Sequence, residues 1–428
     1  MSLFICSNCS YGSGSWIGKC PDCGAWNSLE KQPDEKNQAR SKEKTIKLKL
    51  TPLSKVDTKQ GKRIPTGLFE LDRVLGGGLI SGEVVLLSGE PGVGKSTMLL
   101  QALTKLRVVY ISGEESASQI KDRGERLRLD LSRFLFSDDI QIEGIVSGLE
   151  EVHKQIDLVV VDSIQTVYSK TSDSASGSVS QLKECASRLI AFAKKFHIPV
   201  IVIGHITKDG DIAGPKTLEH LVDCVLSFEG ERVSNYRILR ANKNRFGPTD
   251  EIGIFEMKDS GLKEVNNPTI FLNTKKQSVV GMAIAGVAEG KRPLFYEIQT
   301  LAVPTQLAIP RRVVKGIDYN KLLLLLAVIR KQLRLQIEQL DIFVNVAGGV
   351  SIKSPAADLA IIASIISGIK NVPISNQTVF IGEIGLLGEI RPIYLENKIL
   401  MEAKRLQFKK IISSQTVTNV QNLLKFIT

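Results

Sequence analysis

Gly89-Glu90-Pro91-Gly92-Val93-Gly94-Lys95-Ser96 is the stretch on which the reading of this chain turns. It follows the apolar run Val84-Val85-Leu86-Leu87 and precedes the helical run Met98-Leu99-Leu100. A strand, a glycine-rich turn ending in Lys-Ser, and a helix form the context a phosphate-binding loop needs. The glycines let backbone N–H groups face phosphate oxygens. Lys95 is expected to reach the β- and γ-phosphates of ATP, and Ser96 to offer a hydroxyl to Mg2+. The loop, with Thr97 directly after it, is the candidate nucleotide-binding segment.

Working outward, Val108-Val109-Tyr110-Ile111, Leu158-Val159-Val160-Val161 and Val200-Ile201-Val202-Ile203 are further short apolar runs. Unbroken apolar runs of this length, separated by stretches long enough for crossover helices, predict buried parallel strands in an α/β fold. Ile252 to Met257 is expected to be the last strand of this sheet. Asp162 ends one run, and a carboxylate at the C-terminal end of a neighbouring strand faces the same crevice as the loop. It is the candidate second Mg2+-side group, against the plain alternative of a strand-end cap. Glu114 and Glu115 follow Val108–Ile111, where a carboxylate can orient and deprotonate an attacking water. Acids at a helix start are also favoured by the helix dipole, and spacing alone does not choose between the two.

The 428 residues suggest roughly two to four domains. Net charge is +11, and residues 1–63 hold 12 Lys/Arg against 6 Asp/Glu, so +6 of the excess lies there. A soluble basic chain points to nucleic acid before an acidic membrane, although a surplus of this size also serves solubility. The longest apolar stretches, Leu322–Ile329 and Leu359–Ile369, fall short of the ~20 residues a bilayer span requires. Met1–Cys6 lacks a basic segment and a long apolar core, so a cytoplasmic location without membrane is expected.

Cys6-x2-Cys9 and Cys20-x2-Cys23 are two CxxC knuckles. They suit one tetrahedral Zn2+ with no open position, a structural site; paired disulfides conflict with a cytoplasmic chain. The module reads either as a docking or DNA-contacting unit or as a staple for a segment too short to fold alone. Cys185 and Cys224 sit in apolar contexts and read as core. The expected organisation is 1–28 zinc finger, 29–55 flexible charged linker, 56–265 ATPase domain, and 266–428 a further domain with helical patterns at Tyr319–Gln336 and Ala356–Ile369.

Together with Ser112–Ser116, Asp162-Ser163-Ile164-Gln165-Thr166 and Lys243-Asn244-Arg245-Phe246-Gly247, these motifs resemble the bacterial RadA (Sms) family of DNA repair proteins. The likeness runs in order along essentially the whole chain, and Lys243–Gly247 is its most specific element. It implies a RecA-like P-loop ATPase core with a mainly parallel sheet, similar to DnaB-type helicases and assembled as a hexameric ring. It implies ATP-driven translocation on single-stranded DNA and branch migration beside the RecA recombinase. Within it Glu114 takes the place of the catalytic glutamate, and His205 that of a sensor reporting the γ-phosphate. Tyr168–Gln181 and Thr207–His220, the latter with Lys208 and Lys216, fit the DNA loops. Lys243 and Arg245 suit either a neighbour's γ-phosphate or DNA phosphates. One departure is the 12 residues from Ser96 to Arg107, shorter than relatives carry there.

Gly348-Gly349-Val350, Ser354-Pro355-Ala356-Ala357-Asp358 and Gly382–Ile393 resemble the proteolytic domain of Lon, implying an α+β domain. The nucleophile's place falls on Ala356 and the lysine's on or near Asn397, neither able to do that chemistry. Lys353 beside Ser354 makes a poor dyad, since sequence neighbours on an extended segment point apart, and Lys398 lacks a serine partner. The domain is expected to be an inactive scaffold, with Arg311, Arg312, Lys315, Lys404 and Arg405 either touching DNA or solvating its surface. The rival readings are a RecA-like regulatory ATPase that does not translocate, and an ATP-dependent protease.

Overall fold

A computed structural model describes residues 4–31, 52, 63–172, 174–205, 217–230, 235–272 and 278–427. Met1–Gln60 and Gly61–Thr428 are separate units. In the first, β1 (Phe4–Cys6) pairs antiparallel with β2 (Gly12–Ser13) and with β3 (Leu29–Lys31). Leu29 is buried against Cys6 and Cys20, so the first residues of the expected linker belong to the zinc module. Apart from Pro52, the rest of that linker lies outside the described residues.

The second unit is built on a nine-stranded sheet of β4 (Val84–Gly89), β5 (Val108–Ser112), β6 (Phe134–Ser137), β7 (Leu158–Asp162), β8 (Val200–His205), β9 (Cys224–Glu229), β10 (Tyr236–Asn244), β11 (Ile252–Lys258) and β12 (Gly261–Glu264). The strand order is β12-β11-β10-β9-β4-β8-β7-β5-β6. From β9 to β6 neighbours are parallel, and β10 to β12 add an antiparallel extension. The apolar runs follow from burial on both faces. Val85, Leu87, Val108, Tyr110, Val160 and Ile201 face the side of helices Phe69–Leu75, Lys95–Ala102 and Ala117–Arg126, while Val84, Leu86, Val109, Val159 and Val200 face helices Ile142–Val152 and Val179–Phe196.

Sequence reading stopped this sheet one strand early. After Ile252–Lys258 the chain turns at Gly261 (φ 101°) and returns as β12, whose Leu262 is buried. Four residues with one apolar core position carry too little pattern to announce a strand. The short segment after the P-loop is accommodated by a two-turn helix, Lys95–Ala102, with Met98, Leu99, Leu100 and Ala102 buried. Gln101 fastens it to β12, accepting from Leu262 N at 2.8 Å and donating to Leu262 O at 3.2 Å.

The C-terminal half holds a six-stranded mixed sheet, order β15-β16-β14-β13-β17-β20, of β13 (Met282–Glu289), β14 (Arg292–Pro304), β15 (Arg312–Lys315), β16 (Leu340–Val346), β17 (Thr378–Ile381) and β20 (Lys410–Ser413). A two-stranded hairpin, β18 (Glu383–Ile384) and β19 (Ile390–Arg391), stands beside it. Helix Asp358–Lys370 is buried along nearly its whole length, which accounts for the apolar stretch Leu359–Ile369. The expected helix Tyr319–Gln336 ends at Val328, loosens into a π-turn over Ile329–Leu333, and stops where Arg334 turns left-handed (φ 55°). The β13–β14 turn is clamped to the nine-stranded sheet and its flanking elements by Glu289 on Arg240 (2.8 Å), Lys291 on Asp250 (3.0 Å) and Arg292 on the fully buried Glu70 (2.6 Å). The Glu289–Arg240 and Arg292–Glu70 pairs are enclosed; such pairs add little net stability but fix geometry, since losing one partner strands a buried charge. Among the described residues no helix is long and apolar enough to cross a membrane.

Candidate active site and metal centre

The C-terminal ends of β4, β5, β7 and β8 lie along one edge of the sheet, and each delivers a polar group there. Gly89 and Gly94 are crowded, whereas Gly92 is open and serves the left-handed turn (φ 77°). A Cβ on Gly89 would stand 2.5 Å from the Phe228 carbonyl oxygen, and Gly94 (φ 110°) would meet Met257 Cε at 2.7 Å. Lys95, 4% exposed, donates from Nζ to the carbonyls of Gly89 (3.0 Å) and Glu90 (3.1 Å) and lies 3.2 Å from His205 Nδ1. A charged Lys95 requires Nδ1 to accept, which places the imidazole proton on Nε2. Nε2 sits 3.1 Å from Glu114 Oε1, close enough for attraction but off the direction of a hydrogen bond.

Asp162 Oδ2 accepts from Ser96 Oγ at 2.7 Å and from the Tyr110 hydroxyl at 2.6 Å. Tyr110 was legible only as a strand residue. Its burial, and then the Asp162 carboxylate, hold its hydroxyl protonated well above its ordinary range, so it serves as a fixed donor. Glu114 and Glu115 diverge. Glu115 accepts both arms of the Arg123 guanidinium, one at 2.7 Å, in a fork-to-fork pair. Glu114 turns toward Lys95 and His205, remaining 39% exposed, and accepts from Ser163 Oγ. Contact with His205, then with Ser163, and the nearby Lys95 draw its carboxyl down to about 2 against the cost of burial. Thr97 lies in the first turn of the P-loop helix, half-buried.

The oxygen donors on Ser96 and Asp162 fit a hard divalent cation such as Mg2+. Ligand atoms of Glu114, Asp162 and His205 all lie within 4.8 Å of one another. Burial, against the pull of Asp162 and Glu114, lowers Lys95 to about 8. Phosphate needs the charged ammonium, so binding must take up a proton once the empty site has lost it. ATP affinity is expected to be flat below pH 8 and to fall by up to about tenfold per unit above it. A permanently charged guanidinium in Lys95→Arg should remove that fall; calorimetric titrations across pH 7–10 measure both.

Lys243 and Arg245 are not brought to this cluster. Asn244 pairs with Cys224, which pairs with Val85, so they flank the foot of β4. Gly89 is four residues further on, roughly 13 Å along the strand. The Tyr168–Gln181 loop, described except for residue 173, is packed around buried Gln181, whose Nε2 donates to the carbonyls of Ser169, Ser172 and Ser174. Of Thr207–His220, residues 207–216 lie outside the described residues, with Lys208 and Lys216 among them. Ala356 is 1% exposed, its amide donating to Ser354 Oγ, and Asn397 Oδ1 accepts from Gln415 Nε2 at 3.0 Å.

In the first unit the four knuckle sulfurs converge. Cys6 and Cys23 Sγ are 3.7 Å apart, and Cys9 and Cys20 Sγ 3.5 Å. Four sulfurs at ~2.3 Å from a tetrahedral zinc stand about 3.8 Å from each other, whereas a disulfide needs ~2.05 Å. Zinc would cross-link a module with few apolar contacts. Removing it with a strong chelator, or Cys9→Ser, is expected to unfold residues 4–31 and leave the melting of the ATPase unit within about 1 °C, followed by tryptophan fluorescence of Trp16 and Trp26 and by calorimetry.

Residues 64–267 match the family of KaiC ATPases, residues 4–31 the rubredoxin metal binding domain, and residues 325–416 subunit ChlI of Mg-chelatase. DNA repair protein RadA of Bacillus subtilis (strain 168) is 46% identical over 422 residues, covering 96% of this chain and 92% of its own. The RadA proteins of Listeria monocytogenes (44% over 416 residues, 95% of this chain, 91% of theirs) and Rickettsia bellii (45% over 425 residues, 96% and 93%) are similar.

Proposed function

The chain belongs to the DNA repair protein RadA family, and from that premise we propose that it is an ATP-driven DNA motor of homologous recombination. It translocates on single-stranded DNA, drives branch migration of joined molecules, and works as a hexameric ring in the cytoplasm beside the RecA recombinase. The observation that carries the reading is the convergence of Lys95, Ser96, Asp162, Glu114 and His205 on one edge of the sheet.

Each residue has a part. Lys95 leaves the carbonyls of Gly89 and Glu90 and moves its charge onto the β- and γ-phosphates. Ser96 and Asp162 would hold Mg2+, with Tyr110 keeping Asp162 oriented; once bound, the cation would supply neutralisation of phosphate charge. Glu114 orients the attacking water and takes its proton. His205 touches Lys95 and Glu114 through its two ring nitrogens and ends the strand leading into residues 206–216, so occupancy of the γ-phosphate position is transmitted to that segment. The C-terminal domain lacks a Ser–Lys pair at Ala356 and Asn397 and serves as a scaffold without peptidase activity.

The test is ATP hydrolysis by the purified chain with and without single-stranded DNA, beside its oligomer mass and its action on forked duplexes. Stimulation of about tenfold or more, with fork unwinding, is the expected result. Turnover indifferent to DNA, without unwinding, would replace the motor by a regulatory ATPase. Degradation of an unfolded protein would return the protease.

A further inference from the structure

The phosphate-binding loop leans on strands that follow it far along the chain. Gly89 is hemmed by the Phe228 carbonyl of β9, and Gly94 by Met257 of β11 and the ring of Phe228. Between β9 and β11 runs β10, paired with both. Tyr236, Ile238 and Arg240 face the seam with the C-terminal half, while Leu239 and Ala241 pack into the core that holds Val93. By the period of two, Arg237 belongs to the second row. It is 8% exposed, and its Nε donates to the Val93 carbonyl at 3.1 Å. Its Nη1 donates to the carbonyl of Tyr236 at 2.9 Å.

A trans peptide is planar, so the carbonyl of Val93 and the N–H of Gly94 point in opposite directions. Holding the one aims the other. Val93 stands between two left-handed glycines, Gly92 (φ 77°) and Gly94 (φ 110°), whose backbones rotate more freely than any other residue's. Without a hold on its carbonyl, the Val93–Gly94 peptide could turn over at little cost. The carbonyls of Gly89 and Glu90 are held by Lys95, which leaves them when it moves to the phosphates. Arg237 comes from outside the loop, so its hold on Val93 does not depend on that move. Gly230, just after β9, leaves the room it needs. A Cβ there would stand 2.3 Å from Arg237 Cδ and 2.9 Å from Nε. Gly230 is not one of the left-handed glycines, so what it supplies is space.

We propose that Arg237 is a positioning residue for the nucleotide: by holding the Val93 carbonyl it keeps the Gly94 N–H turned toward the phosphates before ATP or ADP arrives, and Gly230 keeps open the space through which it reaches. The inference rests on the proposed nucleotide site, and not on DNA or translocation. The N–H groups of such a loop serve the phosphates that ATP and ADP have in common. The contribution of Arg237 is therefore to the binding of both nucleotides, and not to the chemical step. A loop set in advance binds more tightly, because less ordering is left for the ligand to impose.

The experiment uses the full chain with Arg237→Met, Arg237→Lys, Gly230→Ala, and Gly230→Ala combined with Arg237→Met. ADP binding is measured by calorimetry with Mg2+ present, kcat and KM for ATP by phosphate release, and folding by melting curves. Arg237→Met is expected to weaken ADP binding and raise KM for ATP by about tenfold or more each, with kcat kept within about threefold. Arg237→Lys keeps a charged donor and recovers part of the ADP affinity. Gly230→Ala displaces the guanidinium without removing it and reproduces the loss, and the double variant binds no more weakly than Arg237→Met alone. The proposal falls if a folded Arg237→Met chain binds ADP as wild type does, or if its kcat drops as far as its affinity. It falls equally if the effects of Gly230→Ala and Arg237→Met multiply. Should Arg237→Met not fold, Gly230→Ala decides alone, and an unchanged ADP affinity there overturns the role of Arg237. A wild type whose turnover ignores DNA would overturn the motor, while the ADP measurements would still decide Arg237.

Discussion

Lys95→Ala is expected to reduce ATP turnover by at least about a thousandfold while leaving the protein folded. The two halves of that expectation have different causes. A hydrogen bond from a charged group contributes about 1.5–3 kcal/mol, so the loss in ATP affinity alone should be about 10- to 150-fold. Turnover should fall further, because charge builds on the phosphoryl oxygens in the transition state and the lost ammonium is aimed there. Stability should hardly suffer. Lys95 is 4% exposed, and burial has already lowered it to about 8, so the empty fold spends free energy to keep it charged. Its carbonyl partners at Gly89 and Glu90 each lose one donor, which water filling the vacated space can replace. Turnover and nucleotide affinity, read beside a melting curve, separate these effects. Persistent turnover in a folded Lys95→Ala chain would mean that phosphate is held by something other than this lysine.

The ATPase sheet was legible because its central strands are buried on both faces. Val84–Leu87, Leu158–Val161 and Val200–Ile203 need apolar residues at every position, which leaves a run no loop imitates. The strands that escaped notice have other patterns. β6 (Phe134–Ser137) is an edge strand with Leu135 53% exposed, and β10 alternates Ile238, Arg240 and Asn242 on one face with Leu239 and Ala241 on the other. Its polar positions reflect the seam with the C-terminal half, where Arg240 meets Glu289. The seam is made by residues far apart in sequence, such as Glu70 and Arg292, and no local pattern announces such a pair.

The site divides the same way. Gly89 to Ser96 and Asp162 stand in contexts that one strand and one loop define, so spacing found them. Tyr110 looked like any core residue, because only its hydroxyl, at the end of a buried ring, bears on Asp162. Asp223 is a lone acid in Leu221-Val222-Asp223-Cys224, and its three donors come from Val84, Lys194 and Arg245. Lys243 and Arg245 stood together in one motif, yet the fold gives one to carbonyls and leaves the other half in solvent. Adjacent residues on a strand point to opposite faces, so residues two apart share a face only while the strand stays regular. The register shift between Ala241 and Lys243, at the strand's end, breaks that rule here.

The choice between Glu114 and Glu115 leads to the second large expectation. Glu114→Gln should retain ATP binding and lose turnover by about 100- to 10,000-fold, the range a general base supplies. Glu115→Gln should keep turnover within about threefold, and instead loosen helix Ala117–Arg126 by freeing Arg123. An objection arises from Glu114 itself: a carboxyl drawn down to about 2 is a weak base. Its strongest support comes from His205, then Ser163, with Lys95 adding its charge. ATP changes two of these. Lys95 turns to the phosphates, and the γ-phosphate brings negative charge beside Glu114, which raises its proton affinity. The base is therefore weak in the empty site and strengthens when substrate is present, which protects Glu114 from protonation before ATP arrives. The same logic sets the sign of a second variant. His205→Ala removes the contact that most favours the charged carboxylate, so the acid limb of the empty enzyme's kcat/KM profile should move to higher pH, with a smaller loss in kcat than Glu114→Gln causes. Equal losses for Glu114→Gln and Glu115→Gln, or an unmoved acid limb in His205→Ala, would show that water is activated by another group.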